Sequence, residues 1–365
     1  MSLDNEIKES ARQIATDAYD MSVGELINIY RDGELVVNPE FQRLFRWDQY
    51  QKSHLIESLL IGVPLPSIFV FELDSGKWEL IDGLQRVSTI LEFVGILRRE
   101  DGTLYKPSIM SPTRYLPSLE GTSWEGKIKD SSPLSGAHQI SIKRSRLSIQ
   151  ILRKSSDEKA KYDLFQRLNS HGSSATPQEL RNCVLYMIDK DLFSKIKALS
   201  KDERFITLIQ ASDLAAESQA MLDFITRFLV FVYVEYDKSW DIEEYLDNGL
   251  IEIADADQKT IDKMLKTFER TLKLLSAVGE ADILKRYKDG KFQGRVGQAA
   301  FETVFLGVAQ NVTHIERKPD PSKYILSRTK SLWARSDVAT FTRAGFRGTD
   351  RIKQTIPFGA KWFSS

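Results

Sequence analysis

The hydrophobic period changes once along the chain, and that change limits the fold more than any other feature. Up to about residue 152, short apolar runs of strand character, such as SIFVFEL and KWELI, alternate with helical patterns. From TPQELRNCVLYMI to about residue 310, nearly every apolar residue recurs at three- and four-residue spacing, as in MLDFITRFLVFVYV and KTIDKMLKTFERTLKLL. That is the spacing of one buried helix face. The pattern predicts an α+β front followed by an all-helical back, and 365 residues allow each a core of its own. The expected division is a polar lead-in or short helix over 1–20, an α+β domain over 21–190 and a helical domain over 191–365.

Local signals place the front elements. MSVGELINIYRDGELVV reads as a short helix, a turn at Asp32-Gly33 and a strand. In WDQYQKSHLIESLLIGVPLP, Asp48 and Gln51 form a reciprocal cap, and Leu55, Ile56, Leu59 and Leu60 form the buried face. Gly62 ends that helix and Pro64 prevents its continuation. SIFVFEL and KWELI flank a Ser75-Gly76 turn and predict a hairpin. Residues 101–136, rich in Gly, Ser and Pro, predict an irregular insertion. HQISIKRSRLSIQIL reads as a strand broken by Lys143, Arg144 and Arg146. Thr176, Pro177 and Glu179 mark the start of the next helix.

The totals exclude several classes. No apolar run approaches the roughly 20 residues that span a bilayer, and the acidic, polar N-terminus is no secretory signal. A single cysteine, Cys183, rules out an internal disulfide framework and suits a reducing cytoplasm. His54, His138, His171 and His314 show no zinc spacing. Charge is segregated although the net charge is zero: Glu235 to Asp257 holds nine acidic residues and one lysine, whereas Ile315 to Ser365 holds eleven Lys/Arg and four Asp/Glu. The basic end suits either a polyanion or a solvated helical surface.

One stretch asks for chemistry. In ELIDGLQRVSTIL an apolar strand stops at Asp82-Gly83, and an apolar helix follows with Gln85 and Arg86 in its first turn. Asp82 and Gln85 have capping-box spacing. Gly83 allows positive φ or a close approach. Arg86 has the wrong sign for a helix N-terminus, unless an anion lies between the guanidinium and the helix N–H groups. Capping and phosphate binding are both open on this stretch alone. Two further segments carry similar residues: NPEFQRLFRW, with Gln42, Arg43 and Arg46, and FQRLNSHGSSATPQELRN, where Arg167 and Arg181 flank a loop between two helices.

Taken in order, Asn38-Pro-Glu-Phe-Gln-Arg with Trp47, Ile81-Asp-Gly-Leu-Gln-Arg, and Arg167-Leu-Asn-x-x-Gly ending in Glu179-x-Arg-Asn resemble the DGQQR-motif domain of GmrSD-type modification-dependent restriction systems. That domain is related to the ParB and sulfiredoxin nucleotide-binding fold. The resemblance covers roughly residues 20–190. It implies a ParB/sulfiredoxin-like domain with nucleoside-triphosphatase activity that senses DNA or its modification in phage defence.

By matching position, Asp82, Gly83, Leu84, Gln85 and Arg86 carry the motif. Asp82, Gln85 and Arg86 then have catalytic roles, and Asp82 helps to hold Mg²⁺. Gln42, Arg43, Asn169, Arg181 and Asn182 complete the nucleotide pocket. The implied partners are modified phage DNA and a separately encoded HNH-type nuclease, with a homo-oligomer possible, and GTP, UTP or CTP as nucleotide. Leu84 stands where the family has a glutamine, which bears on turnover more than on phosphate binding. Beyond residue 200 only His314 is present, so no HNH nuclease is expected in this chain. Arg343, Arg347 and Arg351 are the expected DNA contacts. The alternatives are a non-hydrolysing, nucleotide-gated DNA-binding module or, less favoured, a nuclease.

Overall fold

A computed structural model of the chain describes residues 16–38, 40, 45–99, 101–153, 162, 165, 176–210, 214–341 and 347–364. Gln42, Arg43, Asn169 and Arg343 therefore lie outside the described residues. The chain divides into two compact units, Met1–Thr176 and Pro177–Ser365. The division falls after Thr176, before the helix Pro177–Ile188.

The first unit is built on a mixed five-stranded sheet. Its elements are β1 (Thr16–Ser22), α1 (Val23–Arg31), β2 (Leu35–Val36), α2 (Gln49–Ile61), β3 (Ile68–Glu72), β4 (Trp78–Asp82), α3 (Leu84–Val94), β5 (Thr122–Ser123), β6 (Ser132–Pro133), α4 (Gly136–Arg144) and β7 (Arg146–Leu152). The strand order is β1-β7-β3-β4-β2. β3 and β4 form the expected antiparallel hairpin, with Gly76 at φ 76° in its turn. β7 runs parallel to β3, and β2 parallel to β4. The sheet and its helices share one core that includes Ile56, Val70, Leu80, Val87, Ile90 and Ile149.

α2 forms as its caps require. The Asp48 side chain accepts from Gln51 N–H at 2.8 Å, the Gln51 side chain accepts from Asp48 N–H at 3.0 Å, and Gly62 closes the helix at φ 77°. Leu55, Ile56 and Leu59 are buried, and Leu60 is partly buried. The insertion after α3 docks on this helix. The buried Glu57 carboxylate accepts from the N–H groups of Tyr115 and Leu116 at 3.0 and 3.2 Å, and the Ser53 hydroxyl accepts from Ser111 N–H at 2.8 Å.

Two expectations are corrected. The end of the lead-in is strand β1, paired in register with β7 from Thr16↔Leu152 to Ser22↔Arg146. Its first five residues are exposed, so no apolar alternation announces it. The stretch read as one broken strand is helix α4 followed by β7. Ser135 caps the helix by accepting from His138 N–H at 3.3 Å, and Lys143 and Arg144 occupy its last turn, where cations suit the dipole.

Among the described residues, the strands of the second unit form one short hairpin, Arg286–Lys288 with Lys291–Gln293, and its other regular elements are helices. Its longest helices are Leu214–Tyr233 and Gln258–Ala277. Phe205, Phe228, Phe268 and Phe305 meet edge-on or tilted at its centre, with Phe228 and Phe268 centroids 5.0 Å apart. A π-helical turn, Phe301–Phe305, packs against the last helix, Gly348–Trp362. Glycine is required at that crossing, because a Cβ on Gly359 would stand 2.4 Å from the Thr303 carbonyl oxygen.

Candidate functional site

The hairpin delivers Asp82 to the end of β4, and Gly83 turns the chain into α3. Gly83 has φ 99°, a left-handed conformation that a side chain resists, and a Cβ there would lie 3.0 Å from Ile68 Cγ1. No side chain caps α3, and its first turn holds no acidic residue. The capping box expected of Asp82 and Gln85 is therefore not formed. Gln85 instead turns its Oε1 to accept from the backbone N–H groups of Arg46 and Trp47 at 3.1 and 3.2 Å. This ties the segment before α2 to the start of α3. Leu84 packs partly buried against the front core.

Arg86 lies across this turn. Its Nη1 donates to the carbonyl oxygens of Pro66 and Ser67, and its Nη2 donates to Asp82 Oδ2 at 3.0 Å. Burial of the guanidinium pushes its pKa down, and the Asp82 charge opposes that shift. The side chain is held by backbone and carboxylate on fixed elements, so its orientation is set before any ligand arrives. Asp82 Oδ1 has no hydrogen-bond partner among the described residues and is the carboxylate oxygen suited to a hard cation. Among the described residues, no group of three or more His, Cys, Asp or Glu could hold a metal by itself.

Arg86 also borders an open pocket of about 440 Å³ along α2, with Trp47, Tyr50, His54, Leu65 and Pro66 among its walls. Tyr50, His54 and Ser58 recur at four-residue intervals and so share the face of α2 that lines it. The walls are mainly apolar, with a few polar groups, the usual character of a small-molecule site. The sequence reading overlooked this pocket. Its signal is the polar and aromatic stripe Tyr50, His54 and Ser58 on α2, bordered by Leu55.

Two further expected site residues lie beyond Thr176. Arg181 and Asn182 belong to the helical unit. Arg181 is 2% exposed, with Nε 2.7 Å from Asp247 Oδ1, Nη1 3.2 Å from Gln178 Oε1 and Nη2 paired with Glu243. Burial pushes the Asp247 carboxyl's pKa up against the pull of Arg181. Asn182 bonds Gln178 and Gln219 at 2.9 and 3.0 Å. Both residues thus have partners inside that unit.

Of the expected DNA contacts, Arg347 is exposed at the start of the last helix. Arg351 grips the fully buried Glu302 with both Nε and Nη2, at 3.0 to 3.1 Å, and Thr355 donates to the same carboxylate at 2.7 Å. Its geometry is that of a structural ion pair. No described helix is long and apolar enough to cross a membrane.

No curated protein matches the chain significantly. Residues 23–186 match the family described as GmrSD restriction endonuclease, N-terminal domain. The match takes in the sheet except β1, the Gly83 turn, Arg86 and the pocket along α2, and so the chain carries a GmrSD-type restriction and defence domain over these residues.

Proposed function

We propose that the first unit binds a nucleoside triphosphate at the Gly83 turn and acts as the regulatory, DNA-sensing part of an anti-phage restriction system with a separately encoded HNH-type nuclease. One observation carries the binding reading: α3 starts at a left-handed glycine with no side-chain cap, beside an arginine braced by Asp82 and two carbonyl groups. A helix N-terminus attracts anions, and a guanidinium fixed beside it adds bidentate recognition of phosphate. The family match supports the restriction role. The same turn is where a ParB/sulfiredoxin-like domain would hold its nucleotide, and the mixed sheet followed by helix α3 agrees with that reading.

The residues fit a nucleotide accompanied by Mg²⁺. Asp82 Oδ1 would supply one oxygen ligand, with phosphates and water supplying the rest, and the ion would neutralise phosphate charge. Arg86 would hold and orient the phosphates, and the α3 N–H groups would face them. Gln42, Arg43 and Asn169 remain candidates for further contacts on the strength of the motif resemblance.

A second reading is a nucleotide-gated module without turnover. The engagement of Gln85 Oε1 with two backbone N–H groups favours it, because that oxygen then braces the fold rather than a water molecule. Equilibrium dialysis with each labelled triphosphate tests binding, and no retention of any of them contradicts both readings. Steady-state phosphate release, with and without DNA, then separates them. Release that depends on Asp82 and Arg86 supports the hydrolytic reading, and binding without release supports the gated module.

A further inference from the structure

One wall of the pocket along α2 is His54, and behind it the buried Glu57 forms a pair with it for which the phosphate corner has no use. Glu57 is buried, with its side chain 4% exposed, and its Oε1 accepts from the Thr113 hydroxyl and from the N–H groups of Tyr115 and Leu116. Its Oε2 meets His54 Nδ1 at 3.1 Å. Burial pushes the Glu57 pKa up, but these hydrogen bonds outweigh it and hold the carboxyl below its ordinary value. An ionised carboxylate accepts only, so His54 must donate through Nδ1.

The neutral imidazole then presents Nε2 as an acceptor on its opposite edge. His54 is 35% exposed, lines the pocket, and is held by an edge contact with Tyr50 at 4.2 Å between ring centroids. The slot therefore has aromatic and aliphatic walls, the polar side chains of Gln51 and Ser58, an acceptor of fixed tautomer in His54 and a cation in Arg86. A planar ring with an N–H on its edge and an anionic tail matches that combination. The volume of about 440 Å³ lies within the range usual for small-molecule sites.

We propose that this pocket takes the base of the nucleotide, and that His54 Nε2 selects a base with an amino group at purine C6 or pyrimidine C4, adenine or cytosine, over the counterpart with a keto oxygen at that carbon. The proposal rests on the triphosphate reading above. An amino group donates to Nε2. A keto oxygen in the same place sets lone pair against lone pair and leaves both without a partner, which costs about ten- to a hundredfold in affinity. Glu57 acts as a positioning residue, because it decides which ring nitrogen carries the hydrogen.

The test uses the full chain at about pH 8, above the usual histidine range near 6.5. Titration calorimetry compares the matched pairs ATP with ITP and CTP with UTP, in wild type and in His54→Phe. The amino member of at least one pair is expected to bind about tenfold or more tightly, with that ratio falling close to one in His54→Phe. Equal affinities within both pairs in wild type overturn the proposal, as does a preference that survives His54→Phe. The wild-type pairs decide the matter even where His54→Phe does not fold. Displacement by inorganic triphosphate, which has no base, reports the phosphate corner separately. If inorganic triphosphate displaces bound nucleotide while the pairs stay equal, the base proposal falls and the triphosphate reading stands. If no triphosphate binds, both fall.

Discussion

Arg86 Nη2 stands 3.0 Å from Asp82 Oδ2, so the last residue of a strand steadies a guanidinium in the first turn of the following helix. The same arginine reaches the Pro66 and Ser67 carbonyls on the chain leading into β3. One cation thus joins three backbone segments around an uncapped helix start. A charge assembled in that way is ordered before a ligand arrives, which lowers the entropic cost of binding one.

Gln85 is a second brace, and its removal is expected to be felt as instability. Gln85→Ala leaves the N–H groups of Arg46 and Trp47 without this acceptor, a loss of about 0.5–1.5 kcal/mol because neither site is fully buried. Thermal unfolding followed by circular dichroism should show a lower midpoint, whereas Gln85→Glu, which keeps an acceptor oxygen, should recover most of it. Equal midpoints for Gln85→Ala and wild type contradict this assignment.

Gly83→Ala tests the turn itself. The new Cβ meets Ile68 Cγ1 at 3.0 Å on a backbone with φ 99°, and the strain of a left-handed residue alone is about 1–2 kcal/mol. Chemical denaturation should register a loss of at least that size. A neutral result means that the turn adopts another conformation.

In the helical unit, Arg351 and Arg347 are expected to behave differently. Arg351→Ala strands the Glu302 carboxylate, which is 0% exposed, and breaking such a buried pair costs about 3–5 kcal/mol. Arg351→Met with Glu302→Gln should recover a large part of that loss. Arg347→Ala should leave the melting curve nearly unchanged and, if the basic end meets DNA, should flatten the salt dependence of DNA affinity. A variant of Arg351 that folds like wild type contradicts the structural role.

The Glu57 network adds a pH dependence. Its carboxyl is held below its ordinary value of 4.5 in the folded protein, so its contribution is present above that pH and is lost as the pH falls through the folded value. Acid unfolding followed by tryptophan fluorescence should therefore be less steep below about pH 4.5 in Glu57→Gln than in wild type. An identical acid limb in the two proteins contradicts the assignment.

What could be read from the sequence depended on the range of the interactions. The Asp48–Gln51 cap, the β3–β4 hairpin and the apolar helix α3 after Asp82-Gly83 are local patterns, and all three appear as expected. β1 is an edge strand whose first five residues are exposed, so pairing with β7, more than a hundred residues later, makes it a strand. α4 was misread because Ile140 and Ile142 alternate like strand residues, although Ser135 was available as a cap. At the site, Gly83 and Arg86 stood out from the sequence because their types are wrong for an ordinary helix start. The partners of Gln85 lie 38 and 39 residues away, and capping-box spacing concealed them. The ion pairs of Arg181 and Arg351 could not be read locally, because their carboxylate partners come from other helices.

Titration calorimetry of wild type and Arg86→Ala with a nucleoside triphosphate and Mg²⁺ tests the central claim most directly, with circular dichroism to confirm that the variant is folded. The account predicts saturable binding in wild type and at least a tenfold loss in the variant, in line with the removal of about 1.5–3 kcal/mol of charge-assisted hydrogen bonding. Equal heats and equal affinities for the two proteins would contradict it.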